Sequence, residues 1–361
     1  MAKNLGYNKG RSFLGTVPFL ANQRQELAIQ NGIPKDYYLL ALLLTLKFRY
    51  VVSGGTTDGV LAAEFGHNLL ETVEISGNHK ALGDFTVLKL PGASLKQLSN
   101  VMDGYVHRFN GTPLPAVGTY DIQLSIPIHF PPQRLPHEEQ LFFLLDCPNW
   151  TTLQLYINWG NANNLVIGGD RTTVLHSYGV NTGDPTLEVS RIFGKFGSNR
   201  NKLTTIPMRR SYKSVPLETT IAAQLITDLI KGNFVSRFWL KTGTRATGIS
   251  IAHQGDNFAT LSDALITRFQ LKRDDIPQRD INWLDNQDHE GKVKTLPFSF
   301  PSGYNLIDFC EDESILTAYD TRSLALNNLR LELWGDVAGS TDQRLHVITE
   351  ELFSVPVVGR V

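Results

Sequence analysis

The amino-acid sequence predicts an all-β protein built from two similar β-sandwich domains in tandem. Short segments of alternating apolar and polar residues recur along the chain, which is typical of half-buried strands. The 30 glycines and 17 prolines among 361 residues are spread throughout, as turns between many short strands require. One strand pattern also occurs twice, as LQLYINWGNAN (153–163) and LRLELWGDVAG (329–339). A chain of this length suits two domains of about 150–200 residues each.

Residues 1–34 are predicted to form an N-terminal arm with a short helix. The first residues are rich in Gly and Asn and have no hydrophobic periodicity. Pro18–Gln30 is the predicted helix, because Pro18 suits a first turn and Gly32 suits a position just past the end. A loosely ordered terminus is the alternative to an arm that contacts an anionic surface or a neighbouring subunit. The candidate contact residues are basic: Lys3, Lys9, Arg11 and Arg24.

Residues 35–198 are predicted to form the first sandwich. Tyr120–Phe130 has the clearest period-two alternation, and Pro127 on its polar side indicates a free edge or a bulge there. The residues from Ser94 to Gln97 fit a capping box, which predicts a short helix ending near Gly104. The predicted strands are Leu39–Val52, Leu69–Ile75, Tyr120–Phe130, Leu141–Leu145, Leu153–Trp159 and Leu187–Phe193.

Residues 199–361 are predicted to form the second sandwich. Thr220–Lys231 places Ile221, Leu225 and Leu229 on one helical face before Gly232, which favours a helix. A buried strand is the competing interpretation of the same residues. The predicted strands are Phe234–Leu240, Leu265–Leu271, Tyr304–Cys310, Leu324–Trp334 and Leu345–Phe353.

Three consecutive segments recur in the same order in both halves. LFFLLDC (141–147) and YNLIDFC (304–310) precede the two Trp-Gly strands, and TLEVSRIFG (186–194) and RLHVITEELF (344–353) follow them. Upstream, NLLETVEISGN (68–78) is a looser match to DALITRFQLKRD (263–274). The Trp is expected to anchor a core, and the Gly to let the chain leave the sheet at an unusual backbone angle. Reuse of similar strands without duplication is the alternative, but three matches in order favour two copies of one β-domain.

This organisation resembles the double jelly-roll major capsid proteins of tailless icosahedral viruses, the lineage that includes bacteriophage PRD1 and adenovirus. EFGHNLLETVEISGN (64–78) is similar to the segment after the first strand in phage members. The resemblance implies two tandem eight-stranded jelly rolls and a homotrimer that forms a pseudo-hexagonal capsomer in an icosahedral virion shell. It further implies an inward-facing arm, contacts with neighbouring capsomers and with penton or minor capsid proteins, and in many members an internal membrane. Assembly in the host cytoplasm is expected.

The charge balance disfavours a dedicated nucleic-acid binder. The formal net charge is −1, and no basic stripe is present, whereas phosphate neutralisation dominates the affinity of such proteins. We therefore expect no recognition of a specific nucleic-acid sequence.

The most apolar run, Tyr37–Leu46, is about half the length that a membrane-spanning helix needs. Cys147 and Cys310 are interpreted as buried thiols rather than a disulfide framework.

Catalytic motifs are missing from the sequence. It contains no GxSxG elbow, P-loop or GxGxxG before a helix, and no two of its nine histidines form the HxH pair of a cupin metal site. The sequence thus predicts no enzyme, catalytic residue, metal or cofactor. Two alternatives remain: a metal-dependent bicupin, and a two-domain β-sandwich that binds or processes carbohydrate. The second would use loop amides such as Asn161, Asn163 and Asn164 after Trp159, although turn-forming Asn is the favoured interpretation.

Overall fold

The structure is a computed structural model in which the chain forms two compact units. Unit 1 comprises Met1–Pro207 with two short returning segments, and unit 2 comprises Met208–Gly248 and Phe258–Ser354. The predicted boundary at residues 198 and 199 stays a prediction. The structure describes residues 7–33, 37–103, 109–132, 137–196, 205–218, 221–227, 229, 232–245, 257–293, 300–310, 314, 317–322, 329–335 and 342–353.

The described part of unit 1 contains thirteen strands, of which five are short accessory pairs or extensions. Its helices are α1 (Gly92–Asp103) and the single turn α2 (His137–Gln140). The strands are β1 (Tyr7–Pro18), β2 (Arg24–Ala28), β3 (Tyr37–Ser53), β4 (Val60–Leu61), β5 (Leu70–His79), β6 (Gly83–Leu90), β7 (Phe109–Asn110), β8 (Gly118–His129), β9 (Leu145–Asp146), β10 (Trp150–Trp159), β11 (Val166–Ile167), β12 (Thr172–His176) and β13 (Thr186–Phe196).

The described part of unit 2 contains ten strands and one helix, α3 (Trp283–Val293). The strands are β14 (Met208–Pro216), β15 (Ile221–Ile226), β16 (Phe234–Thr244), β17 (Thr260–Leu261), β18 (Arg268–Arg273), β19 (Ile276–Asn282), β20 (Tyr304–Asp308), β21 (Tyr319–Asp320), β22 (Arg330–Gly335) and β23 (Gln343–Leu352).

Eight strands of unit 1 form two antiparallel four-stranded sheets. One has the order β1-β13-β3-β8 and the other the order β2-β10-β5-β6. Numbered along the chain, the first sheet therefore joins the first, eighth, third and sixth strands, and the second joins the second, seventh, fourth and fifth. This interleaving is the strand order of a jelly roll.

Unit 2 repeats the same interleaving. Its sheets have the orders β14-β23-β16-β20 and β15-β22-β18-β19, which again join strands one, eight, three and six, and two, seven, four and five. In both units a helix, α1 or α3, follows the fifth strand. The predicted fold of two tandem eight-stranded jelly rolls with a few short helices is confirmed.

Alternating side chains form the core of each roll. On β3 the even-numbered residues from Leu42 to Val52 are at most 1% exposed, and Leu155 and Ile157 of β10 are fully buried in the second sheet of the same roll. In unit 2, Phe238, Phe269 and Leu331 belong to one buried cluster drawn from both sheets. Each such side chain contributes about 1.5–3 kcal/mol on burial, so alternation along strands such as β3 and β10 specifies which faces of the sheets meet.

The sequence repeat corresponds to structural equivalence for three of its four segment pairs. The Trp-Gly strands β10 and β22 are both seventh strands, β13 and β23 are both eighth strands, and β5 and β18 are both fourth strands. The pairing of LFFLLDC with YNLIDFC was wrong. The second segment contains β20, a sixth strand equivalent to β8, whereas the first forms a 3-10 turn at Leu141–Phe143 and the two-residue β9.

The two Trp-Gly pairs also differ from the expectation. Trp159 is fully buried, but Trp334 is only partly buried, with the Arg268 guanidinium 4.7 Å from its ring centre. Gly160 and Gly335 have ordinary backbone angles. What requires glycine at 335 is close packing, because a Cβ there would lie 2.1 Å from the carbonyl oxygen of Leu265.

The predicted helix at Pro18–Gln30 was wrong, and so was the arm that contained it. Pro18 ends β1, which pairs with β13, and Arg24–Ala28 form β2, which pairs with β10. These are the first and second strands of the first roll, so residue 34 does not separate an arm from a domain. Partner strands satisfy the backbone here, which overrides weak local helix signals.

Two further helix predictions need correction. Ile221–Ile226 is strand β15, paired with β22, which agrees with the competing strand interpretation of Thr220–Lys231. The helix α1 was predicted correctly, but it begins before Ser94, whose buried hydroxyl has no hydrogen-bond partner among the described residues and so caps nothing. Its predicted end near Gly104, and residues 324–328 of one predicted strand, lie outside the described residues.

Candidate functional site

Two of the four predicted contact residues lie together on an exposed strand. Lys9 and Arg11 are exposed and two residues apart on β1, so they share one face with Phe13, which is 64% exposed. Among the described residues of unit 1, β1 pairs with β13 alone and is the edge of its sheet. Lys3 lies outside the described residues.

Arg24 lies apart from this pair, on β2 in the other sheet of the roll. Its guanidinium carbon is 3.9 Å from the centre of the Tyr156 ring, and its Nη2 is 3.5 Å from Oε1 of Glu74. The structure therefore groups Lys9 with Arg11 but not with Arg24. The contact role of all four residues stays a prediction.

A row of four buried charged residues crosses the first sheet of unit 2, which we call the charge row: Arg210, Glu350, Arg237 and Asp308. They face one another in register on β14, β23, β16 and β20, with alternating sign. Arg210 Nε donates to Glu350 Oε2 at 2.8 Å, and Arg237 donates to Glu350 Oε1 at 3.2 Å and to Asp308 Oδ2 at 3.0 Å. None of the four is more than 7% exposed.

Hydrogen bonds complete the charge row. Glu350 Oε1 also accepts from the Ser236 hydroxyl at 2.7 Å, and Asp308 Oδ1 accepts from the backbone N–H of Cys310 at 2.8 Å. Burial alone raises the pKa of Glu350, but Arg210 and Arg237 outweigh it and hold that pKa below its usual value. Glu350 is therefore charged at neutral pH, and the charge row links four strands in register through ion pairs.

A second buried row lies beside the charge row. Lys241 is fully buried, with its Nζ 5.4 Å from the centre of the Phe258 ring and 5.2 Å from that of Tyr304. His346 faces Lys241 across β16 and β23 and stacks on Phe258 at 4.4 Å. Burial, followed by the charges of Lys241, Arg344 and Arg245, holds the pKa of His346 well below its usual value. The imidazole is therefore neutral at physiological pH.

Charged residues inside apolar segments of the sequence indicate both rows, although hydrophobic periodicity alone does not reveal them. FVSRFWLK, YNLID and VITEE place Arg, Lys, Asp and Glu inside otherwise apolar strands. A charge at such a position is costly unless a neighbouring strand supplies its counter-ion. Complementary charges in several strands of one half are thus evidence that those strands pair.

The structure gives no support to a metal or sugar site in the part of the chain that it describes. No three His, Cys, Asp or Glu residues there lie close enough together to hold a metal ion. Asn161 accepts a hydrogen bond from the N–H of Asn163 at 2.9 Å, and Asn164 is buried and donates to the Asn68 carbonyl. These amides shape a turn, as the favoured interpretation predicted.

The cysteines and helices add two further facts. Cys147 and Cys310 are free and buried, and burial together with the charge of Asp146 raises the pKa of the Cys147 thiol to about 12. The Cys147 thiol is therefore not activated for nucleophilic chemistry by a lowered pKa. Among the helices in the described residues, none has the length and apolar composition needed to cross a membrane.

Comparison with known proteins identifies the fold. No protein-family model and no curated protein matches the sequence. Solved structures match over nearly the whole chain. The chain has the double jelly-roll fold of viral major capsid proteins. It is similar to the STIV MCP, from the Sulfolobus Turreted Icosahedral Virus, with a TM-score of 0.66 and 13% identity over 97% of each chain.

Two other structures with this double jelly roll are similar at comparable levels. The major capsid protein from Bacteriophage PM2 matches with a TM-score of 0.57 and 12% identity, over 96% of this chain and 98% of that one. PBCV-1 VP54, fitted into a reconstruction of the virophage Sputnik, matches with a TM-score of 0.62 and 10% identity, over 98% and 95%. The resemblance noted in the sequence is thus confirmed at the level of fold.

Proposed function

We propose that this protein is the major capsid subunit of an icosahedral virus. The observation that supports this most is the full-length match to the STIV MCP, which covers 97% of both chains and includes both jelly rolls of this one. Two equivalent rolls per chain give six per trimer, so a trimer presents a pseudo-hexagonal outline that can tile a shell. In this role the protein catalyses no reaction. Its side chains serve to fold the two rolls and to form the contacts between subunits that build the shell.

The capsomer is a homotrimer in this proposal, and its partners are neighbouring capsomers, penton or minor capsid proteins, and in a membrane-containing virion the lipid beneath the shell. The protein belongs to the virion and is assembled in the host cytoplasm. Lys3, Lys9, Arg11 and Arg24 are proposed to contact neighbouring subunits or anionic surfaces. Because residues 7–18 are a strand of the first roll, deleting residues 1–16 would test folding as much as contact. Substitution of Lys9 and Arg11 is the cleaner test.

Light scattering of the purified protein tests the proposal. A species of about three times the 40.3 kDa chain mass is expected, with hexagonal outlines in electron micrographs. A protein that stays monomeric across the concentration range accessible to the experiment would contradict a capsomer. The carbohydrate-binding alternative predicts instead a monomer or dimer that binds glycans, and no described contact favours it over the capsid role.

A further inference from the structure

The two rolls cover their first strands to different degrees. The first strands β1 and β14 are equivalent, and within its own unit each has one described partner strand, β13 for β1 and β23 for β14. On β14 only Pro216 is exposed. On β1, by contrast, exposed residues recur along the strand and include Lys9, Arg11 and Phe13. A single chain thus buries this edge in unit 2 and leaves it in water in unit 1.

The fifth strands show the opposite difference. β6 of unit 1 carries four side chains that are at most 7% exposed, namely Phe85, Val87, Leu88 and Leu90. On the equivalent β19 of unit 2, every residue except Arg279 and Ile281 is exposed. The first and fifth strand positions are therefore each covered in one of the two rolls and exposed in the other. The uncovered pair consists of β1 in unit 1 and β19 in unit 2.

Both uncovered strands have features of an interface. Phe13 on β1 and Ile276 on β19 are each 64% exposed, and Leu284, just after β19, is 61% exposed. Among the described residues of its unit, each strand pairs on one side, with β13 and β18 respectively, so its other edge faces away from the sheet. Pro277 at the start of β19 lacks an N–H, which limits strand pairing to the residues after it.

The two surfaces are complementary in charge. Lys9 and Arg11 make the exposed face of β1 basic. The surface formed by β19, the turn before it and the start of α3 is acidic. Asp274, Asp285 and Asp288 are exposed there, whereas the exposed Asp275 and Asp280 pair with Arg330 and Arg268. Complementary potentials of this kind favour docking of one surface on the other and disfavour contact of either surface with itself.

We propose that β19 and the start of α3 of one copy dock on β1 of the next copy. The contact joins two different surfaces, so it is head to tail, and a head-to-tail contact that closes generates a ring. That the ring contains three copies rests on the proposed capsid function. In such a ring each copy covers the exposed β1 of its neighbour, and every first and fifth strand of the six rolls is then buried.

Charge introduced at the two exposed apolar residues tests the contact in the full chain. Phe13→Glu and Ile276→Lys each bury a charge in the proposed interface, and each is expected to convert the trimer to monomer at a concentration where the unmodified protein is trimeric. The double variant F13E/I276K places opposite charges in every interface and is expected to recover the trimer. Val60→Glu, at a residue that is 66% exposed on β4, is the matched control and is expected to stay trimeric.

The outcomes separate this inference from the capsid proposal. An unmodified protein that is monomeric contradicts both. A trimeric unmodified protein whose F13E and I276K variants are also trimeric overturns the β1–β19 contact and leaves the capsid proposal intact. The contact is also overturned if the singles dissociate and the double variant stays monomeric. Circular dichroism checks that each variant is folded, which is expected because both side chains are mostly in water.

Discussion

Arg237 Nη1 lies 3.2 Å from Glu350 Oε1 across β16 and β23, and both side chains are buried in the sheet. Arg237 also binds Asp308, and Glu350 also binds Arg210, so neither residue depends on the other alone. The pair is the centre of the charge row. Buried ion pairs contribute little net stability compared with apolar residues, but breaking one leaves an uncompensated charge.

Arg237→Ala is therefore expected to destabilise the protein strongly. The change leaves Glu350 and Asp308 buried with fewer counter-ions, which costs about 3–5 kcal/mol of the free energy of unfolding. Urea denaturation followed by circular dichroism measures it. Arg322→Ala is the control, because Arg322 pairs with Asp320 on the surface, where such a pair contributes about 0–1 kcal/mol. Equal losses in the two variants would show that the charge row has no special role.

The charge row also predicts how stability depends on acid. The pKa of Glu350 lies below its usual value of 4.5, so its contribution is complete above that pH and is lost as the pH falls through the lowered pKa. Thermal unfolding between pH 7 and pH 3 is expected to show a falling Tm below about pH 4.5. Glu350→Gln is expected to lower the Tm at pH 7 and to flatten this dependence. An unchanged slope in the variant would show that other carboxylates determine acid unfolding.

Alternation made much of the fold predictable from the sequence. Strands such as β3, β8 and β10 bury mainly one face each, and their period-two pattern is visible without knowledge of their partners. β19 could not be found in this way, because most of its residues are exposed and no apolar face marks it. β1 and β2 were missed for a related reason, since pairing with β13 and β10 rather than side-chain pattern defines them.

The candidate site was less predictable than the fold. Lys9 and Arg11 were identified from charge alone, and the structure places them on one exposed strand face. The charge row was not identified, because its members are far apart in the sequence and become neighbours only when strands one, eight, three and six pair. Single-sequence patterns report which residues share a strand, whereas buried ion pairs depend on which strands are adjacent.

The two Trp-Gly strands give a matched pair of substitutions. Trp159 is fully buried and packs edge-on against Phe19 at 5.1 Å, so Trp159→Ala is expected to cost about 3–5 kcal/mol. Trp334 is partly buried and loses mainly its contact with Arg268, so Trp334→Ala is expected to cost about 1–2 kcal/mol. Denaturation of both variants compares them directly. A larger loss of stability in Trp334→Ala than in Trp159→Ala would contradict the prediction that burial of the Trp determines the cost.

Glycine at 335 is expected to be essential because of packing rather than backbone angle. A Cβ there would meet the Leu265 carbonyl oxygen at 2.1 Å, and backbone cannot move aside as a side chain can. Gly335→Ala should destabilise by about 1–3 kcal/mol, as overpacking does. Gly15→Ala is the control, since its nearest neighbour is a Leu27 methyl at 3.2 Å, which can shift. A tolerated alanine at 335 would contradict the proposed packing of β22 against the segment before β18.

His346 predicts a second pH dependence, at higher pH than that of Glu350. Its folded pKa lies well below the ordinary value of 6.5, so the unfolded chain binds the proton more readily and stability falls as the pH drops below 6.5. His346→Phe keeps a ring against Phe258 and removes the titration. The variant should therefore lose less stability than the unmodified protein between pH 7 and pH 5, in urea titrations at each pH. His176→Phe, on the partly exposed β12, serves as the control for a His-to-Phe change outside the buried row. If both variants follow the unmodified protein, His346 binds its proton without unfolding the sheet, and the buried row beside Lys241 tolerates a second positive charge.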